Sequence, residues 1–257
     1  MVRLCSGVAL QKFYRMKKMW LVYVVSFILL LAGFYFFIFK NIDFSQSNLP
    51  VINNHVQAFS FINQDGKTIT EKDVEGKVYV TEYFFTTCKA ICPKMNANMR
   101  RVFDQFKDDK NFMIISHTCM PEVDSVPLLK AYELKMVNGN LVQKEDGSYK
   151  IEYDSAMKKN GENNNWDFVT GDKATLYRMA RHSYLLDDNK IDTVQNIANQ
   201  FIHTQLFALV DKQRRVRGIY DGLKEDEIQK LLSDIKSLLN ERAPDANFAN
   251  GFSNTPN

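Results

Sequence analysis

Cys88 and Cys92 stand three residues apart in "VYVTEYFFTTCKAICPKMNANM" (78–99), with Pro93 directly after the second. Two thiols at that spacing can form a redox pair, hold a soft metal ion, or close a structural disulfide. Pro93 limits where they sit. Proline inside a helix removes a backbone hydrogen bond and clashes one turn back, whereas the first turn accepts it. The helix is therefore expected to begin near Ile91 to Pro93, with Cys92 at its N-terminus and Cys88 on the loop before it. The helix dipole there favours thiolate and is expected to lower the cysteine pKa. Thiolates are the redox nucleophiles, and they are also soft ligands for copper(I) or zinc. A gap of three residues permits a disulfide and lets two sulfurs open around a metal, which would need at least a third ligand.

The compartment bears on this chemistry. Residues 19–39, "MWLVYVVSFILLLAGFYFFIF", carry no charge, and about 20 apolar residues cross a hydrocarbon core. They are read as an uncleaved transmembrane anchor, longer than a signal-peptide core and without a small-residue cleavage site after it. Arg3, Lys12, Arg15, Lys17 and Lys18 precede the anchor with no acid among them. That favours residues 1–18 in the cytoplasm and everything after residue 40 outside. A bacterial inner membrane with a periplasmic domain is expected; a mitochondrial inner membrane is the alternative. The net charge of +3 comes from that leader, since beyond it 28 of the 33 basic residues face 30 acidic ones. The folded part has no basic excess, so nothing points to nucleic acid. Cys88, Cys92 and Cys119 are then exported, an odd set that does not suit a purely structural disulfide framework. Cys5 is a bystander.

The elements that position the pair follow from hydrophobic patterning. Residues 40–55 read as a polar linker and 56–242 as one domain. The domain opens with a hairpin signalled by Asp65-Gly66, then a buried strand at 78–85 and a helix at 93–107. A second buried strand follows at 112–116 and a helix at 125–136. Residues 137–165 are polar and turn-rich, with a second Asp-Gly signal at 146–147, and read as a surface insertion. A helix is expected at 172–182, two strands at 204–211 and 216–222, and an amphipathic helix at 224–240. The tail 243–257 is expected to be disordered. A β-α-β start and a β-β-α finish give an α/β, thioredoxin-like arrangement, whose ligands sit at the carboxyl ends of strands. Cys88 and Cys92 lie at such an end. Of the four histidines, His203 opens the 204–211 strand, which such a sheet sets beside the start of the cysteine helix. His55, His117 and His182 are read as non-ligands. Met95, Met99, Met120 and Trp166 are read as packing.

The stretch "YFFTTCKAICPKM", with "DFVTG", "IHTQLFALVD" and "RGIYDG" after it, resembles the Sco/SenC family of membrane-tethered copper-handling proteins with a thioredoxin fold. The resemblance runs from about Phe59 to Leu239. It implies Cys88, Cys92 and His203 as ligands for copper, as Cu(I) or Cu(II), with Cys88 and Cys92 also a redox-active pair. It implies assembly of the binuclear copper site of cytochrome c oxidase. The expected partners are the copper-bearing oxidase subunit and another copper chaperone or thiol reductase. The family's strand-Asp-Pro-x-x-Asp segment reads here "SHTCMPEVDS", two residues longer. Asp124 is the best counterpart of the second acid, and the first is missing or displaced. The competing reading is a metal-independent thiol–disulfide oxidoreductase.

Overall fold

The computed structural model describes residues 20–35, 49–154, 163, 165–187 and 204–241. Residues 1–18, His203 and the tail 243–257 lie outside them, as do residues 36–48 and residues 155–162 of the expected insertion. Residues 20–35 form a helix, α1. At 1.5 Å per residue it spans about 24 Å, less than the ~30 Å of a hydrocarbon core. Among the described residues, no helix is long and apolar enough to cross a membrane; the flanks of the expected 19–39 span lie outside them.

The second unit begins at Ser47 and is built on one seven-stranded mixed sheet. In chain order its strands are β1 (Ser60–Asn63), β2 (Thr68–Thr70), β3 (Val78–Phe84), β4 (Phe112–Thr118), β7 (Trp166–Thr170), β8 (Leu206–Val210) and β9 (Val216–Asp221). A separate hairpin comprises β5 (Asn140–Gln143) and β6 (Tyr149–Glu152). Across the main sheet the order is β2-β1-β7-β4-β3-β8-β9. The centre is parallel: β3 pairs β4 from Val78 opposite Phe112 to Phe84 opposite Thr118, and β4 pairs β7. Parallel strands need both faces covered, and every residue of β3 and β4 is buried. Successive side chains of a strand point to opposite faces. Val78, Val80 and Phe84 accordingly join the core under α2 (Cys92–Phe106), α3 (Val126–Asn138) and α5 (Glu225–Asn240). Tyr79 and Tyr83 join a second core under α4 (Lys173–Arg178), which runs on into a π-helical turn, Met179–Ser183. The α/β, thioredoxin-like expectation stands.

Three features depart from the sequence reading. β7 is a central strand, between β1 and β4, in a place where the patterning offered none. Residues 49–55, expected in a linker, are stitched to the β9 end of the sheet. Ile52 N–H donates to Val216 O at 2.8 Å, and the Arg217 guanidinium donates to Leu49 O at 2.8 Å. The expected insertion opens as the β5–β6 hairpin, turning at Gly147 with φ 78°, and it lies on α2, where the Arg101 guanidinium sits 4.3 Å above the Tyr149 ring. The first hairpin turns as expected: Gly66, with φ 73°, donates its N–H to Asn63 O at 2.9 Å.

Phe168 of β7 is fully buried, stacked on Trp166 and meeting Phe84 edge-on. Truncating a buried Phe loses its transfer free energy and leaves a cavity. Phe168→Ala is expected to lower the free energy of urea unfolding by about 3–5 kcal/mol; a loss under about 1 kcal/mol would contradict the central place of β7.

Candidate functional site

The parallel register of β3 and β4 brings their carboxyl ends level, and the loops that leave them meet there. Cys119, just past β4, extends the ladder by donating its N–H to Phe84 O at 2.8 Å. The cysteine loop leaves β3 beside it. Cys88 is half-buried, with its N–H donating to Phe85 O at 3.2 Å. Cys92 is the first residue of α2, after an N-cap at Ile91, and it is buried in the main core. Pro93 falls in the first turn, where its missing donor costs nothing. All three thiols of this region are free. The Cys88 thiol lies close enough to Cys92 to act on its protonation.

Burial, not the helix dipole, dominates the electrostatics of Cys92. Its thiol is pushed up, chiefly by desolvation and also by the neighbouring Cys88 thiol; a backbone hydrogen bond with Phe85 pulls the other way. The expectation of a lowered pKa is therefore reversed for Cys92 in this dithiol state. A helix terminus contributes about 0.3–1 kcal/mol to a nearby charge, up to ~2, and desolvation of a buried charge exceeds that. Cys119 is buried on the opposite core. Its thiol donates to Phe84 O at 3.2 Å and is pushed up to about 12 by burial and by the nearby Asp124 carboxylate.

His203 lies outside the described residues. β8, which starts at Leu206, runs antiparallel to β3 with Ala208 opposite Thr81. The first residues of β8 therefore face the end of β3. The other histidines are dispersed. His55 is exposed on the segment before β1. His182 is exposed in the π-helical turn. His117 is enclosed by Tyr83, Phe61 and Tyr184, with Nδ1 2.9 Å from the Thr81 hydroxyl. Met95 and Met99 are core residues of α2, as read from the sequence. Among the described residues, no group of three or more His, Cys, Asp or Glu side chains could hold a metal ion. The two thiols alone supply two soft donors.

Three further residues surround the pair and were not singled out for this role by sequence reasoning. Asp124 is fully buried and accepts hydrogen bonds from Thr86, two residues before Cys88, and from Thr118. Tyr132 of α3 stacks on Phe84. Its hydroxyl is pushed well up by burial and by the nearby Glu82, Cys92, Cys88 and Asp124 groups. Glu82 is a fully buried acid inside β3. It accepts from the Ser116 hydroxyl at 2.8 Å, and Ser116 in turn accepts from the Trp166 indole at 2.9 Å. Its second oxygen has no partner among the described residues. The signal for Glu82 was in plain view: one acid in an otherwise apolar run.

Residues 50–143 match the SCO1/SenC family model. The SCO1 protein homolog of Bacillus subtilis is 28% identical over 188 residues, covering 72% of this chain and 83% of the relative. A SCO1/SenC family lipoprotein of Bacillus anthracis superposes with a TM-score of 0.55 at 26% identity, covering 74% of this chain and 97% of the other. BsSco, a Sco family member in which a disulfide switch has been identified, superposes with a TM-score of 0.55 at 27% identity, covering 75% and 98%.

Burial pushes the Glu82 carboxyl up to about 8 and the His117 imidazole down to about 3. The signs are opposite. Stability from protonated Glu82 is complete below its ordinary value of 4.5 and is lost as pH rises towards 8. Stability from neutral His117 is complete above 6.5 and is lost as pH falls towards 3. Each slope is at most about 1.4 kcal/mol per pH unit. Urea unfolding of the reduced wild type should therefore weaken between pH 6.5 and 8, and Glu82→Gln should flatten that decline. An unchanged slope in the variant would rule out Glu82 as its source. The family model over residues 50–143, the B. subtilis relative and both solved structures are of the SCO1/SenC family, to which this chain is similar.

Proposed function

We propose that this chain is a copper-binding protein that serves the assembly of the binuclear copper site of cytochrome c oxidase. Copper is its cargo, and Cys88, Cys92 and His203 are the ligands. The observation that carries this reading is the meeting of the Cys88 and Cys92 thiols where β3 ends and α2 begins, inside the stretch that matches the SCO1/SenC family model. Two thiolates and an imidazole form a soft donor set suited to Cu(I), and to Cu(II) with an added ligand. His203 precedes β8, whose first residues face the end of β3, and this supports its role as the third donor. Thiolate ligands must lose their protons when metal binds. The raised Cys92 thiol makes that release part of the binding free energy. The copper-bearing oxidase subunit is the acceptor, and another copper chaperone or a thiol reductase supplies copper or electrons. BsSco, described as a member of a family of cytochrome c oxidase assembly proteins, supports the assembly role.

The disulfide switch of BsSco favours a second reading, in which the same pair works as a thiol–disulfide oxidoreductase without metal. His203 separates the two. Changing either cysteine disables both chemistries, whereas His203→Ala removes one copper donor and leaves both thiols. His203→Ala is expected to lose Cu(II) binding, weaken Cu(I) binding and fail to support oxidase assembly at limiting copper. It should still form and reduce the Cys88–Cys92 disulfide. Wild-type copper binding and oxidase assembly in that variant would hand the assignment to the metal-free reductase.

Residues 19–39 are proposed to anchor the chain by a single pass in the bacterial inner membrane, with the domain in the periplasm. Support comes from the uncharged run and its basic leader and from the exposed apolar side chains of α1; the lipoprotein relative of B. anthracis supports membrane association alone. A reporter active only in the periplasm, fused after Asn240, should be active; activity from a cytoplasmic reporter alone would reverse the topology.

A further inference from the structure

Asp124 sits on the loop between β4 and α3, just before the Ser125 N-cap. Its side chain is buried with zero exposure and reaches across to the strand that carries the cysteine loop. One carboxylate oxygen accepts the Thr86 hydroxyl at 2.5 Å, and the other accepts the Thr118 hydroxyl at 2.5 Å. The Thr86 backbone N–H lies 3.3 Å from both oxygens. Thr118 is held in turn, since its hydroxyl oxygen accepts the Met120 N–H at 3.0 Å. The Asp124 N–H donates to Met120 O at 2.9 Å, which closes the loop on itself.

Successive residues of the chain leading to Cys88 are thereby each fixed. Phe84 is held by the Cys119 N–H, Phe85 by the Cys88 N–H, and Thr86 by Asp124. Thr87 is the only residue between this carboxylate grip and Cys88. Hydrogen bonds to a charged group contribute more than neutral ones, so this one grip can set the approach of the loop.

We propose that Asp124 is a positioning residue for the Cys88–Cys92 pair, clamping Thr86 to Thr118 so that the loop carrying Cys88 is held in its dithiol conformation. The inference rests on the reading of Cys88 and Cys92 as the working pair and extends it to the residue that sets their geometry. Releasing the clamp removes that hold on the dithiol conformation, so the equilibrium moves towards the disulfide.

The test is a redox equilibrium on the full chain, kept metal-free with a chelator. The Cys88–Cys92 dithiol and oxidised dithiothreitol exchange two electrons and two protons to give the protein disulfide and reduced dithiothreitol. The two protein states are separated by alkylation and read at the Cys88 and Cys92 peptides, so Cys5 and Cys119 do not enter. Asp124→Asn and Thr86→Val are each expected to shift the equilibrium constant about tenfold towards the disulfide, roughly the worth of one hydrogen bond to a charged group. Thr86→Ser, which keeps the hydroxyl, should return to within about threefold of wild type. A role confined to folding would lower the unfolding midpoint of these variants and leave the redox equilibrium in place. If Asp124→Asn does not fold, the contrast between Thr86→Val and Thr86→Ser decides. A wild-type disulfide with unshifted variants overturns the clamp alone. A wild type that forms no Cys88–Cys92 disulfide overturns the reading of the pair, and the clamp with it.

Discussion

The parallel pairing of β3 with β4 is the constraint on which the rest depends. Its register, Phe84 opposite Thr118, ends the two strands at the same level. The Cys119 N–H then carries the ladder one step further, to Phe84 O. Two loops are forced side by side at that edge, one with Cys88 and the other with Thr118 and Asp124. α2 has to leave from the same edge, and Pro93 permits only its first turn there. The thiol pair is thus placed by a strand end, a helix start and one proline. A shift of the register by a single residue would turn every side chain of β3 to the other face, moving Glu82 and Phe84 away from α2.

Burial governs the chemistry of this edge. The Cys92 and Cys119 thiols, the Glu82 carboxyl and the His117 imidazole are all moved towards their neutral forms, with desolvation the first cause in each case. In the dithiol form, burial holds the Cys92 and Cys119 sulfurs as neutral thiols. Cys88 is the more open of the pair, half-buried against a buried Cys92. Chemistry that needs thiolate, whether metal binding or attack on a disulfide, must therefore proceed with loss of a proton from a dry sulfur. A cation arriving between the two sulfurs supplies the favourable charge that the surroundings of Cys92 withhold.

The pieces of this arrangement with local signals were legible in the sequence. The run 78–85 was apolar on both faces, as a central parallel strand must be, and the cysteine-proline step marked the helix start to within a residue or so, near Ile91 to Pro93 against Cys92 in the structure. The hairpin at Asp65-Gly66 needed only its left-handed glycine. What escaped was non-local. β7 is only five residues long, sits directly after a polar stretch, and gains its place from β1 and β4, far away in sequence. Asp124 finds Thr86 38 residues back, and no periodicity carries such a contact. The Cys92 thiol was misjudged because the dipole of a helix start can be read from sequence, while the depth of the core beneath it emerges only on folding.

Copper K-edge X-ray absorption on the purified full chain, loaded with Cu(I) and washed free of excess, tests the central claim most directly. The account predicts one retained copper with two sulfur scatterers and one imidazole. The sulfur signal should be lost in Cys88→Ser/Cys92→Ser protein and the imidazole signal in His203→Ala. Failure to retain copper, or a retained copper with only oxygen and nitrogen neighbours, would contradict it.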